Sequence, residues 1–409
     1  MKEIQMAFKY RIYPTRKQKE IINKTIGCTR FVYNHYLDKR SKIYEEQKIT
    51  FNYNDCSKDL TELKRELEWL QEVDKFALQN SLRDLDMAYK NFFRRIKQKE
   101  KPGYPRFKSK RDSQNSYRTN YTNNNIELKD GRIKLPKIGW VKLKQHRRLS
   151  GVIKNVTVNC TPTGKYYVSV CCDKVPLLED NRSQEIIGVD VGLKDMIITS
   201  CGEVIENKKY YRKLEKKLVR EQRRLSRKQK SSSNREKQRI KVAVVHEKIS
   251  NSRKDYLHKI SSRLINENQV ICLEDLNIKG MIKNRHLAKS ISDVSWGELV
   301  RQLKYKAVWH DKRIVIIDRF YPSSQVCSCC GFKNKTVKDL NVRKWACPSC
   351  GGQHDRDFNA AVNIRSEGLR LLDLNTDGMS EIYACGDFVR PVILGQKSLK
   401  QEAPELIQG

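Results

Sequence analysis

No stretch of this chain approaches the roughly 20 consecutive apolar residues that a membrane-crossing helix needs. Its start, Met1-Lys2-Glu3-Ile4-Gln5, lacks the apolar core of a signal peptide. These absences argue against membrane and secreted classes and predict a cytoplasmic protein. There is no Gly-x-x-x-x-Gly-Lys-Ser/Thr loop to cradle nucleotide phosphates and no Gly-x-Ser-x-Gly elbow to present a nucleophilic serine. Negative charge is scarce: 83 Lys and Arg face 48 Asp and Glu across 409 residues, a formal excess of +35. Such a surface repels itself unless it meets a polyanion, and nucleic acid is the usual one. The 13 cysteines are an odd number. Most are scattered in apolar contexts such as Val270-Ile271-Cys272-Leu273, which suits buried thiols in a reducing compartment better than a disulfide framework.

The length suggests two or three domains. Gln5 to Tyr13 alternates apolar and polar residues and predicts a half-buried strand ended by Pro14-Thr15. Helical spacing follows through Ile22, Ile26, Val32 and Tyr36, and again from Phe76 to Phe93. The breaker Lys101-Pro102-Gly103-Tyr104-Pro105 opens a region of short β patterns, in which Ile153–Asn159 and Lys165–Cys171 flank a Thr161-Pro162-Thr163-Gly164 turn. Together with the first strand these predict a barrel-like β unit carrying a helical insertion. From Glu185 the pattern becomes α/β: buried strands at Ile186–Gly192, Met196–Ser200, Val270–Leu276 and Ile314–Ile317 alternate with helices. One helical stretch, Lys208 to Arg263, sets about twenty basic residues against five acidic ones, which favours phosphate contacts over a merely solvated face. Ser231 to Asn234 divides it into two antiparallel helices.

Two Cys-x-x-Cys pairs, Cys327/Cys330 and Cys347/Cys350, have the spacing of a structural Zn²⁺ cage. Cys329 makes the first pair locally ambiguous; symmetry, and a glycine after each second cysteine, favour Cys330 and leave Cys329 spare. His354 follows, and is expected to order the loop leaving the metal, since four cysteines saturate it.

Acids inside apolar strands are costly unless they are paired or bind a cation. Asp190 and Glu274 sit that way, and if their strands are parallel neighbours the two carboxylates stand about 5 Å apart. That arrangement suits Mg²⁺, which takes carboxylate oxygens and keeps some of its waters. A third acid completes a two-metal site, and Asp357 is the best candidate because a helix with small Ala360 and Ala361 follows it. Asp355 competes with it, and Asp195 and Asp275 remain alternatives. Read singly, Gly-Val-Asp-Val-Gly is also what a tight turn looks like, and Leu-Glu-Asp-Leu an ordinary strand exit.

Taken in order, Ile-Gly-Val-Asp190-Val-Gly, Leu-Glu274-Asp-Leu, the four-cysteine knuckle and His-Asp-Arg-Asp357-Phe-Asn-Ala-Ala resemble the split RuvC-like nuclease of the TnpB family. These are transposon-encoded relatives of the type V CRISPR effector nucleases. Phe8 to Thr15, Arg30 to Asn34, Pro105 to Lys108 and the tail Cys385 to Pro404 resemble it too. The resemblance implies an α+β multidomain chain. Residues 1–15 and 104–182 would form a β-barrel wedge domain, with a helical recognition domain, 16–103, inserted in it. An RNase H-like (RuvC) nuclease domain, 183–322 and 355–380, would hold a zinc finger at 323–354, and 381–409 would be a loosely ordered tail.

It further implies an RNA-guided, Mg²⁺-dependent DNA endonuclease with Asp190, Glu274 and Asp357 as the catalytic triad holding two ions, and one structural Zn²⁺. Its partners would be a noncoding guide RNA and target double-stranded DNA beside a short flanking motif, with no membrane. The chain would act as a monomer with one RNA at the nucleoid. Lys75 and Gln79, one helical turn apart, can reach a groove together or be an ordinary solvated pair. Two rival readings stand beside it: a DDE-type transposase, which shares the core and the three acids and acts without RNA, and an RNA-guided repressor that binds DNA without cutting, against which the presence of all three acids speaks.

Overall fold

The computed structural model describes residues 3–110, 115–178 and 185–376, with side chains to 373. The tail expected at 381–409 lies outside them. The chain divides into two compact units, broken between Pro176 and Leu177.

In the first unit, strand β1 (Glu3–Tyr13) buries Met6, Phe8, Tyr10 and Ile12 on one face, as its alternation requires. Thr15 then starts helix α1 (Arg16–Gln47) with a reciprocal capping box to Gln18. Helices α2 (Tyr53–Glu66) and α3 (Lys75–Lys97) pack with α1 around Val32, Tyr36, Leu60, Leu78 and Leu82. The strands that follow are β2 (Ser116–Asn120), β3 (Glu127–Lys129), β4 (Arg132–Leu135), β5 (Gly139–Lys144), β6 (Val152–Cys160) and β7 (Tyr166–Pro176). The expected β6–β7 hairpin is present, paired from Val152/Asp173 to Cys160/Tyr166. Strand β1 adds beside β7, so the chain's start completes a sheet made mostly by its middle.

The sheet order is β2-β6-β7-β1-β5-β4-β3, with β2 and β3 at its edges. Among the described residues no pairing joins those edges, so the barrel expected from sequence is an open seven-stranded sheet. Closure needs a ladder between the two edges, and strands of five and three residues offer little to build one. The helices sit against edge strand β2, where Asn80 Nδ2 donates to the Arg118 carbonyl at 2.9 Å.

In the second unit, β8 (Ile186–Asp190), β9 (Asp195–Thr199), β10 (Val204–Glu206), β11 (Val270–Glu274) and β12 (Arg313–Ile317) form a mixed sheet in the order β10-β9-β8-β11-β12. Strands β8, β11 and β12 are parallel. Helices α4 (Tyr210–Ser226) and α5 (Ser233–Glu267) form the basic hairpin, divided where sequence places the break, with Ser232 capping α5. After β11 come α6 (Ile278–Met281), α7 (Ala288–Val294) and α8 (Trp296–Trp309). A small antiparallel pair, β13 (Lys344–Ala346) and β14 (Gln353–Asp355), leads into α9 (Arg356–Thr376).

Strand parity sorts the two faces of the sheet. Ile187, Val189, Ile271 and Leu273 pack with Leu257 and Leu264 of α5 and Leu299 and Leu303 of α8. Val270, Cys272 and Ile317 face the other way, onto Ile364 of α9. Helix α9 lies very close. A Cβ on Gly188 would collide with the Ala361 carbonyl oxygen, and one on Gly368 with the Cys272 sulfur. No helix among the described residues is long and apolar enough to cross a membrane.

Candidate acidic site and four-cysteine knuckle

Register and parity bring two of the predicted acids together. Strands β8 and β11 pair as far as Val189/Leu273, so the next positions are Asp190 and Glu274 at the carboxyl ends of adjacent parallel strands. Both share parity with Gly188 and Cys272, the residues that α9 covers. Asp357 is in the first turn of α9, and Asp355 caps that helix, its Oδ1 accepting from the Asp357 and Phe358 amides at 3.1 and 3.2 Å. The two competitors thus divide the work: Asp355 starts the helix, and Asp357 is presented to the strand ends.

The three carboxylates act on one another. Burial pushes the Asp190 carboxyl up to about 8, helped by the negative charges of Glu274 and then Asp357, against hydrogen bonding from the Val191 amide and the charge of Arg356. Glu274 accepts from Ser323 Oγ at 2.5 Å. Asp357 is held by Arg343, whose Nη1 lies 3.0 and 3.2 Å from its two oxygens. Burial first, and then two neighbouring acids, disfavour charge on Asp190, and carboxylate oxygens gathered at adjoining strand ends are the donors that a hard divalent ion takes. The three are not drawn into ligand spacing. Among the described residues, the groups with donor atoms mutually within 4.8 Å are the four cysteines and the set Cys327, Cys329 and His354. Of the alternatives, Asp275 pairs with Arg319 at the surface, and Asp195 lies on β9 opposite Glu206 of β10.

The four cysteines converge as their spacing predicts. Cys327 and Cys350 sulfurs are 3.7 Å apart, and Cys330 and Cys347 sulfurs 3.6 Å apart. A tetrahedron of sulfurs at zinc bonding distance has an edge of about 3.8 Å, so the cage fits the ion. The two halves repeat one turn: the Gly331 and Gly351 amides each donate to the carbonyl of the first cysteine at 2.9 Å, and both glycines take positive φ, 78° and 73°. Val337 and Trp345 supply a small core. His354 does more than order a loop: its Nε2 is 3.0 Å from the Cys327 sulfur and its ring packs on Trp345.

Sequence reasoning did not find Arg343 or Ser323, because neither lies in a motif with the acid it holds. It also gave no role to Asn359 and Asn363, one turn apart on α9. Asn359 accepts from the Ser328 amide at 3.0 Å, and both side chains donate to the Val326 carbonyl, at 2.7 and 2.6 Å. They tie the knuckle to the helix that carries Asp357.

Two basic surfaces accompany these sites. Arg220, Arg223, Arg224 and Arg227 line a hollow of about 520 Å³ along α4. In the first unit, exposed Lys75 lines a cleft of about 640 Å³ with Lys64, Arg65, Asn123, Asn125 and Lys137. Gln79 is half-buried on the next turn of α3.

Three family models match: OrfB_IS605, described as "Probable transposase", over residues 169–285; the Cas12f1-like TNB domain over 296–364; and the OrfB_IS605 helix-turn-helix domain over 1–48. In this chain that last segment is a strand followed by one 32-residue helix. A relative from Streptomyces pristinaespiralis is 38% identical and one from Escherichia coli K12 34%, each match covering 100% of this chain and 99% of the relative. Both carry the name "Putative RNA-guided DNA endonuclease", the second as InsQ. The chain belongs to the TnpB family. A Cas12f1 structure, solved as a complex with single-guide RNA and target DNA, shares the fold with TM-score 0.53 and 12% identity, covering 89% of this chain and 99% of that one.

Proposed function

We propose that this protein is an RNA-guided DNA endonuclease of a transposable element, which cuts target DNA beside a short flanking motif by metal-dependent phosphodiester hydrolysis. Full-length similarity to relatives of that name supports the reading. The observation that carries it is the Asp190 carboxyl, raised to about 8 between Glu274 and Asp357. Asp190, Glu274 and Asp357 would hold two Mg²⁺ ions, which when bound supply an activated water and stabilise the leaving 3′ oxygen. Asp190 would give up its proton on metal binding, Ser323 orients Glu274, and Arg343 of the knuckle pairs with Asp357 and competes with the metal for it. The second unit is then the split RuvC-like domain, with the knuckle as its structural zinc finger.

The open sheet and helices of the first unit serve as wedge and recognition domains. Guide pairing supplies most of the sequence specificity, while side chains read only the flanking motif. Lys75 and Gln79 are the candidate readers, with Lys75 on a cleft it shares with Lys64, Arg65 and Lys137. The excess of +35 suits a monomer that carries one RNA at the cytoplasmic nucleoid.

The test is linearisation of a plasmid by the purified chain with its guide RNA in Mg²⁺. Asp190→Ala is expected to reduce cutting to background while RNA-dependent DNA binding persists. Cutting at the wild-type rate would reject the acid assignment, and absence of a discrete co-purifying RNA would reject the guided reading. Cutting by the wild-type chain also separates an endonuclease from a repressor, and its dependence on RNA from a transposase.

A further inference from the structure

The four-cysteine cage leaves two good zinc donors beside it unused. The donor atoms of Cys327, Cys329 and His354 lie within 4.8 Å of one another, and His354 Nε2 is 3.0 Å from the Cys327 sulfur. Gly352 lies close against three donor atoms of the cluster. A Cβ there would stand 3.3 Å from His354 Nε2, 3.5 Å from the Cys350 sulfur and 3.6 Å from the Cys329 sulfur. Gly352 does not adopt the positive φ of Gly331 and Gly351, so its backbone conformation does not call for glycine. A side chain there would press on His354, Cys350 and Cys329, which gather on that one position.

We propose that the knuckle contains a second, overlapping zinc-binding set: Cys327, Cys329 and His354, which already stand at ligand spacing, with Cys350 drawn in beside Cys327 as the fourth donor. Cys327 and Cys350, with sulfurs 3.7 Å apart, are common to both sets, and Cys329 and His354 replace Cys330 and Cys347. The inference rests on the four-cysteine zinc reading. In the exchange, the Cys330 and Cys347 thiolates each take up a proton as they leave, and the Cys329 thiol gives one up. The His354 imidazole stays neutral, its proton passing from Nε2 to Nδ1. One proton is therefore taken up overall, and the metal centre changes from four thiolates to three thiolates and a nitrogen. Zinc accepts both donor sets tetrahedrally. Because His354 directly precedes Asp355, the cap of α9, the second set ties the metal to the strand that enters the Asp357 helix.

The test reads metal, not cleavage, in the full-length chain. Cys330→Ser is expected to keep about one zinc per chain, and its Co²⁺-substituted form to absorb at shorter d–d wavelengths than wild type, as nitrogen replaces sulfur. Adding Cys329→Ser or His354→Ala to that variant should remove the metal. Loss of zinc from Cys330→Ser alone would overturn the proposal, as would an all-sulfur spectrum that ignores His354→Ala. If Cys330→Ser does not fold, extraction of zinc by a chelator decides: wild type should release it about tenfold more slowly than Cys329→Ser, and equal rates overturn the proposal. A wild-type chain without zinc would overturn the four-cysteine reading itself, an outcome distinct from the others.

Discussion

The cysteine knuckle and the acidic site are neighbours in sequence and opposites in construction. The knuckle draws its donors from 24 residues of chain, and its sulfurs already stand at 3.6–3.7 Å. The acidic site draws on β8, β11 and α9, its carboxylates are not at ligand spacing, and one of them is held up to about 8. Local turns can preorganise thiolates, because two Cys-x-x-Cys loops need only a glycine each to close. Three acids from distant segments repel one another, so their site depends on the sheet and on α9 to hold them against that repulsion.

The sharpest way to break the comparison is Cys327→Ser, which removes one of the two ligands common to both zinc sets. Zinc should fall to near zero per chain, and proteolysis should open the segment around Val337 and Trp345 while the β8–β11 sheet persists. A folded, zinc-bound variant would show that the cage does not depend on its buried ligand.

Gly188→Ala attacks the other site without touching a carboxylate. The added methyl meets the Ala361 carbonyl and must push α9 off the sheet. A loss of roughly 1–3 kcal/mol in urea unfolding is expected, with cleavage reduced at least about tenfold as Asp357 shifts. Unchanged cleavage would mean that the close approach does not set the site.

Asp190→Asn tests the cost of burying a charge there beside two other acids. An acid whose folded-state pKa is raised from 3.8 to about 8 weighs against the metal-free fold increasingly as pH rises between those values. At pH 7 the burden is on the order of a few kcal/mol. Without metal, the variant should match wild type near pH 4 and exceed its unfolding midpoint at pH 8, and Mg²⁺ should narrow the gap. Equal midpoints at pH 8 would refute the raised acid. Smallest is Arg343→Met. Freeing Asp357 from its partly exposed cation should lower the Mg²⁺ concentration for half-maximal binding by up to about fivefold in calorimetry. An increase would show that Arg343 positions Asp357 more than it competes for it.

Much of this was legible in the sequence because it is local. The alternation of Met6, Phe8, Tyr10 and Ile12 predicts β1, and the Ser231–Asn234 break predicts where the basic hairpin turns. The order of acids and cysteines carries the family resemblance. Strand β10 was missed because three residues hold too little pattern. The open edges of the first sheet were missed because alternation says which face is buried and nothing about whether the ends of a sheet meet.

By itself, then, the sequence determined most of the strands, the basic helices, the four-cysteine spacing and which acids stand in apolar strands, since periodicity, spacing and charge are properties of neighbouring residues. Only the tertiary structure decided that β8 and β11 pair in the register that sets Asp190 beside Glu274, and that Gly188 admits α9. It alone showed that Asp355 caps the helix while Asp357 meets Arg343, and that His354 and Cys329 lean back on the four-cysteine cluster. Those are distances between segments far apart in the chain, and packing sets them.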